Sequence, residues 1–147
     1  MTPERFQKIK KILDKRQPDL TIIMDNVHKP HNLAAIIRSC DAIGIGHIHH
    51  ISKNHNKIGV NLKAASGSNH WVKLYTHENK KKLFTKLRNE GHTIFAANNS
   101  VNAIDFRKAN YTNASTIILG AELDGVSNET INLADLEIRI PMEGMVE

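Results

Sequence analysis

Short apolar runs alternate with longer amphipathic segments along almost the whole chain, and this alternation restricts the possible folds more than any other feature. Residues 20–24, 47–51, 71–75, 93–97, 115–119 and 136–140 read as strands, several of them nearly unbroken apolar runs rich in β-branched side chains. Between the first two, Leu33, Ile36, Ile37, Cys40 and Ile43 form one helical stripe, with Asn32 as the N-cap after Pro30 and Gly44 closing the helix. Residues 78–90 read as a basic helix ending at Gly91, and 127–133 as a short helix capped by Ser127. An amphipathic helix over 3–15 sets Phe6, Ile9, Ile12 and Leu13 against a basic face, and Gln17-Pro18-Asp19 ends it. Apolar strands separated by helices predict an α/β domain, a mainly parallel Rossmann-like sheet with helices on both faces. Ligands of such sheets bind beyond the carboxyl ends of the strands, which singles out the loops 25–32, 97–104, 120–127 and 141–147.

A length of 147 residues accommodates one domain, and no internal repeat or low-complexity linker divides it. No stretch approaches the roughly 18 apolar residues of a membrane helix, and no signal-type segment follows the basic N-terminus, which predicts a cytoplasmic chain without membrane attachment. The single cysteine, Cys40, excludes an intrachain disulfide and a Cys-rich zinc site. The net charge of +5 conceals a segregation: residues 1–16 carry +4 and 119–147 carry −6, leaving 1–118 at +11. A basic surface set apart from an acidic end suits a polyanion, nucleic acid first, and equally a solubilising surface.

Among the motifs, Gly120-Ala121-Glu122-Leu123-Asp124-Gly125-Val126-Ser127 has the glycine spacing of a phosphate-binding loop but places Val126 where the lysine must stand. Glu122 and Asp124 would repel phosphates, so the loop suits a neutral or cationic ligand, or simply a strand-to-helix turn. His47 and His49 share a strand face without a third acidic ligand at a suitable spacing, so no metal site is expected. Trp71 and Tyr75 read as core rather than as a base-stacking platform. Arg38 has no carboxylate four residues to either side, which leaves its guanidinium available for a phosphate or solvated on the helix face.

Three ordered motifs together resemble the SPOUT superfamily, and within it the TrmH-type tRNA (guanosine-2′-O-)-methyltransferases of the SpoU family. The first motif resembles Val27-His28-Lys29-Pro30-His31-Asn32 with Ala35-Ile36-Ile37-Arg38, the second Leu119-Gly120-Ala121-Glu122, and the third Ile140-Pro141-Met142-Glu143-Gly144-Met145-Val146. Ala64-Ala65-Ser66-Gly67-Ser68-Asn69 also fits. The resemblance implies S-adenosylmethionine as methyl donor, a C-terminal trefoil knot, and a homodimer with the active site near the subunit interface. Its closest form implies the D-loop guanosine at position 18 of tRNA as substrate. It assigns Arg38 and Asn32 as a catalytic pair and Glu122 as the acidic residue. Cofactor contacts fall to Ala97, Asn98, Leu119, Gly120, Ile140 and Met142, largely through backbone atoms. Lys8, Lys11 and Arg16 of the N-terminal segment, with Lys29 and His31, are the expected RNA contacts. The chain stops at Glu147, short of the family's knot-closing segment and C-terminal helix, so 1–147 is expected to be a single but C-terminally shortened SPOUT domain.

A ribose 2′-hydroxyl is a poor nucleophile at neutral pH and needs proton removal or stabilisation of the developing alkoxide. A guanidinium stays protonated throughout the physiological pH range, which suits Arg38 to anchoring phosphate and stabilising the alkoxide; proton acceptance is the bolder assignment. Two other classes remain in view: a non-catalytic RNA-binding module or inactive fragment, and a nicotinamide-dependent oxidoreductase. The last is remote, because no Gly-x-Gly-x-x-Gly follows the first strand.

Overall fold

The computed structural model describes residues 1–52 and 67–144. Seven strands form one sheet: β1 (Leu20–Asp25), β2 (His47–Ile51), β3 (Lys73–His77), β4 (Thr93–Ala97), β5 (Ile104–Asp105), β6 (Ser115–Leu119) and β7 (Leu136–Arg139). Their order is β3-β2-β1-β6-β4-β7-β5, and each neighbouring pair is parallel. The helices are α1 (Pro3–Leu13), α2 (Pro30–Ala42), α3 (Lys80–Asn89) and the single turn α4 (Asn128–Ile131).

The apolar run of β1 is explained by burial on both sides. Ile22 and Met24 face the layer built with Leu33, Ala34, Ile37 and Cys40 of α2, while Ile23 faces Leu83, Phe84 and Leu87 of α3. A strand sandwiched in this way has no solvent face and needs no polar alternation. In register, Ile117 of β6 lies beside Phe95 of β4, and Phe95 beside Leu136 of β7. The sheet face carrying Leu20, Ile117 and Ile138 is, beside α2, the wall of a cavity.

Several boundaries differ from the sequence reading, each for a local reason. Helix α2 begins three residues early, with Pro30 at its first position and Lys29 as N-cap, so Asn32 lies in the first turn and its side chain is free for another partner. Ile43, at the end of the expected stripe, is exposed. The third strand starts at Lys73, because a 3₁₀ turn over Ser68–His70 takes the Trp71 and Val72 amides onto the Ser68 carbonyl at 2.9 and 3.0 Å. Trp71 and Tyr75 are 40% and 39% exposed and therefore belong to the outer edge of the sheet, not the core. Asn79, whose Oδ1 accepts from the Lys82 amide, starts α3 at Lys80. The two-residue β5 and a 3₁₀ turn at Phe106–Lys108 carry too little apolar pattern to be read in advance. The Ala64–Ser66 part of the resemblance and the last two residues of its third motif, Met145 and Val146, lie outside the described residues.

No residue of α1 is buried, although Thr2 caps it and Pro3 opens it. The linker that follows is fastened instead. The Arg16 guanidinium donates to the Ile45 and Trp71 carbonyls at 2.9 and 2.7 Å, and the Gln17 amide donates to the Gly44 carbonyl at 3.0 Å.

Candidate active site

The cavity, about 1220 Å³, opens at the carboxyl ends of β4, β6 and β7. Ala97 and Asn98 come from the end of β4, Leu119 and Gly120 from the end of β6, and Ile140 and Met142 from the segment after β7; all six expected cofactor residues line it. Asn98 is held from two sides. Its amide donates to the Ile138 carbonyl at 3.0 Å, and its Nδ2 donates to Glu137 Oε2 at 2.6 Å, an oxygen that also accepts from Ser100 Oγ at 2.8 Å.

The loop after β6 closes on itself. Ala121 and Gly125 exchange two backbone hydrogen bonds, of 3.0 and 2.9 Å, and Gly125 holds a left-handed φ of 64°. Gly120 packs so tightly against the return strand that a Cβ there would stand 2.0 Å from the Gly125 carbonyl carbon. These glycines bring backbone to the cavity wall and set Glu122 at the tip of the loop.

Glu122 meets the start of α2. Its Oε2 accepts from Lys29 Nζ at 2.5 Å and from Asn32 Nδ2 at 3.2 Å. The Lys29 ammonium, then the Asn32 amide, hold its carboxyl below the usual range. Both charged groups are substantially solvated, so the pair fixes geometry more than it adds stability. Two of the three expected catalytic residues, 90 positions apart in sequence, are therefore in contact.

Arg38 is not part of that contact. It is exposed on α2, does not line the cavity, and has no ion-pair partner among the described residues. Lys8, Lys11 and His31 are exposed as expected. Two other expected RNA contacts have partners inside the protein: Lys29 pairs with Glu122, and Arg16 spends its guanidinium on two backbone carbonyls. Among the described residues no group of three or more His, Cys, Asp or Glu is arranged to hold a metal. His49 is instead buried, with its Nδ1 2.9 Å from His77 Nε2, and burial pushes its pKa down to about 4.

The sequence pattern of the SpoU rRNA Methylase family matches residues 19–147. The chain belongs to this SpoU methylase family. It is 42% identical over its whole length to the tRNA (guanosine(18)-2′-O)-methyltransferase of Escherichia coli K12, of which it spans 64%. The Thermus thermophilus protein of the same name is 42% identical across 99% of this chain and 75% of its own. A crystal structure of the A. aeolicus TrmH/SpoU tRNA modifying enzyme superposes with a TM-score of 0.89 at 35% identity, covering 97% of this chain and 73% of that one.

Asp25, Lys80 and Thr130, hydrogen-bonded behind the Glu122 loop, have no assigned role in the sequence analysis, although Asp25 opens the 25–32 loop singled out there. The one available signal was a carboxylate closing an otherwise apolar strand, which in a parallel sheet places it at the ligand end.

Proposed function

We propose that this SpoU-family chain belongs to a tRNA (guanosine-2′-O-)-methyltransferase that uses S-adenosylmethionine and acts on the D-loop guanosine at position 18. The observation that carries the reading is the convergence of all six expected cofactor residues on one cavity with Glu122 at its rim. The names of the E. coli and T. thermophilus relatives support the choice of substrate.

The cavity fits this cofactor. Its lining includes Asp19 and Asp124 against Arg139 as the one basic residue, with Glu122 already paired to Lys29, a balance that still favours a cationic sulfonium. Leu119, Ile138, Ile140 and Met142 supply apolar surface for a purine, and the strand ends supply backbone donors and acceptors. S-adenosylmethionine bound there would supply a methyl carbon on positively charged sulfur; its transfer breaks one C–S bond, forms one C–O bond, returns the electron pair to sulfur and releases the hydroxyl proton.

The chain's own residues then have separable tasks. Asn32 and Lys29 hold Glu122 in place at the rim. Arg38, exposed and without an ion-pair partner among the described residues, anchors an RNA phosphate and stabilises negative charge developing on the 2′-oxygen. Its position away from the cavity supports a homodimer in which a second copy completes the site. Lys8, Lys11 and His31 supply solvated basic contacts to tRNA, and the reaction takes place in the cytoplasm.

The test is methyl transfer from labelled S-adenosylmethionine to an unmodified tRNA transcript, with 2′-O-methylation mapped by resistance to alkaline cleavage. Label at guanosine 18 is expected, and a 2′-deoxy substitution there should abolish it. Arg38→Ala should slow transfer by about a hundredfold while cofactor affinity stays within about twofold. Label on a base, or none from the unaltered protein, would overturn the assignment.

A further inference from the structure

Behind the Glu122 loop, a line of buried polar groups joins three elements. Asp25, the last residue of β1, is completely buried, and its Oδ2 lies 2.8 Å from the Ser127 amide and 2.6 Å from Ser127 Oγ. Ser127 Oγ lies 2.9 Å from Thr130 Oγ1, also completely buried, and Lys80 Nζ of α3 lies 3.1 Å from that same Thr130 oxygen. Lys80 further pairs with Glu129 at 3.0 Å.

The direction of each bond follows from proton counting. The carboxylate only accepts and each hydroxyl has one proton, so Ser127 donates to Asp25, Thr130 to Ser127, and Lys80 to Thr130. The relay therefore runs from ammonium to carboxylate through the two hydroxyls, and the Lys80 ammonium also reaches Ser127 Oγ directly, at a longer 3.5 Å. A buried carboxylate is a poor way to gain stability, because its desolvation offsets most of what its bonds return. What these groups achieve is attachment: they tie the end of the Gly120–Ser127 loop to β1 and α3. The other end of that loop is clamped by the contact of Gly120 with Gly125, and between the two anchors stands Glu122.

We propose that Asp25 is a positioning residue, and that its relay through Ser127 and Thr130 to Lys80 holds the Glu122 loop in the geometry that binds the cofactor. The proposal rests on the reading that the cavity takes S-adenosylmethionine.

Three quantities test it on the purified protein: amide exchange of residues 120–127, S-adenosylmethionine affinity by calorimetry well below the melting midpoint, and the midpoint itself. In Ser127→Ala, exchange in the loop and the cofactor Kd should each rise by about tenfold, while exchange in β6 stays unchanged. Thr130→Val should move both in the same direction, and Thr130→Ser, which restores the hydroxyl, should return them to within about twofold of the unaltered protein. Should Ser127→Ala not fold, Asp25→Asn takes its place, with the same expected rise in both. A variant that is less stable but binds as tightly as before, or whose loop exchanges no faster, would overturn the proposal. Absence of cofactor binding by the unaltered protein would instead overturn the reading beneath it, and loop exchange would still decide whether the relay is an anchor.

Discussion

Replacing Gly120 by alanine tests the loop geometry on which the site depends. The added methyl carbon would stand 2.0 Å from the Gly125 carbonyl carbon and 2.2 Å from both its oxygen and the Val126 nitrogen. All three are backbone atoms, so no rotamer change relieves the overlap. Overpacking in a core typically costs about 1–3 kcal/mol when side chains can yield, and a wholly backbone collision belongs at the upper end. If the loop swings away instead, it loses the Ala121–Gly125 bonds at about 1 kcal/mol each. The two routes give about 2–3 kcal/mol, which lowers the midpoint of a chain this size by about 6–10 °C. Scanning calorimetry measures that drop, and titration with S-adenosylmethionine at low temperature measures the accompanying loss of affinity, expected to be at least about tenfold. Gly144→Ala is the control, since Gly144 also lines the cavity but a Cβ there meets nothing within 4 Å. A Gly120→Ala protein that melts within about 2 °C of the parent and binds equally well would refute the close packing of the loop.

Stability should fall as pH drops from 6.5 towards 4. Folding depresses the His49 pKa to about 4, so in that window the unfolded chain binds more protons; the full difference is about 3 kcal/mol, all of it lost below the folded value, and His49→Gln should flatten the profile in denaturant titrations. Arg16→Ala should destabilise the fold by about 1–3 kcal/mol through the loss of its bonds to the Ile45 and Trp71 carbonyls. The double change Lys8→Ala and Lys11→Ala should leave the midpoint unchanged and instead reduce the salt dependence of tRNA binding by about one to two in log–log slope. Equal salt slopes in the parent and the lysine variant would remove α1 from the RNA contact. Asn32→Ala should weaken the dependence of activity on Glu122, so that adding Glu122→Gln costs less in that background than alone; simple additivity in a double-mutant cycle would show that their contact has no functional weight.

The sequence by itself determined the layer order and the addresses of the cavity. Runs such as Leu-Thr-Ile-Ile-Met at the start of β1 cannot face water on either side, which demands helices on both faces and hence the parallel sheet. Strand ends are local features, so the loops after β4, β6 and β7 were legible as ligand loops without knowing how the strands pair, whereas the six cofactor residues there came from the resemblance to the SPOUT superfamily. Tertiary structure decided which loops meet. Strand order brings the start of α2 to the loop after β6, turning Asn32 from an expected helix cap into a partner of Glu122. The same order brings Asp25 to Ser127, 102 residues away, and carries the Arg16 guanidinium to Trp71, 55 residues away. Periodicity describes a residue's neighbours along its own element, whereas these bonds join elements whose separation is set by sheet order and register. A few side-chain hydrogen bonds across such gaps alter no local pattern, and so only the folded chain reveals them.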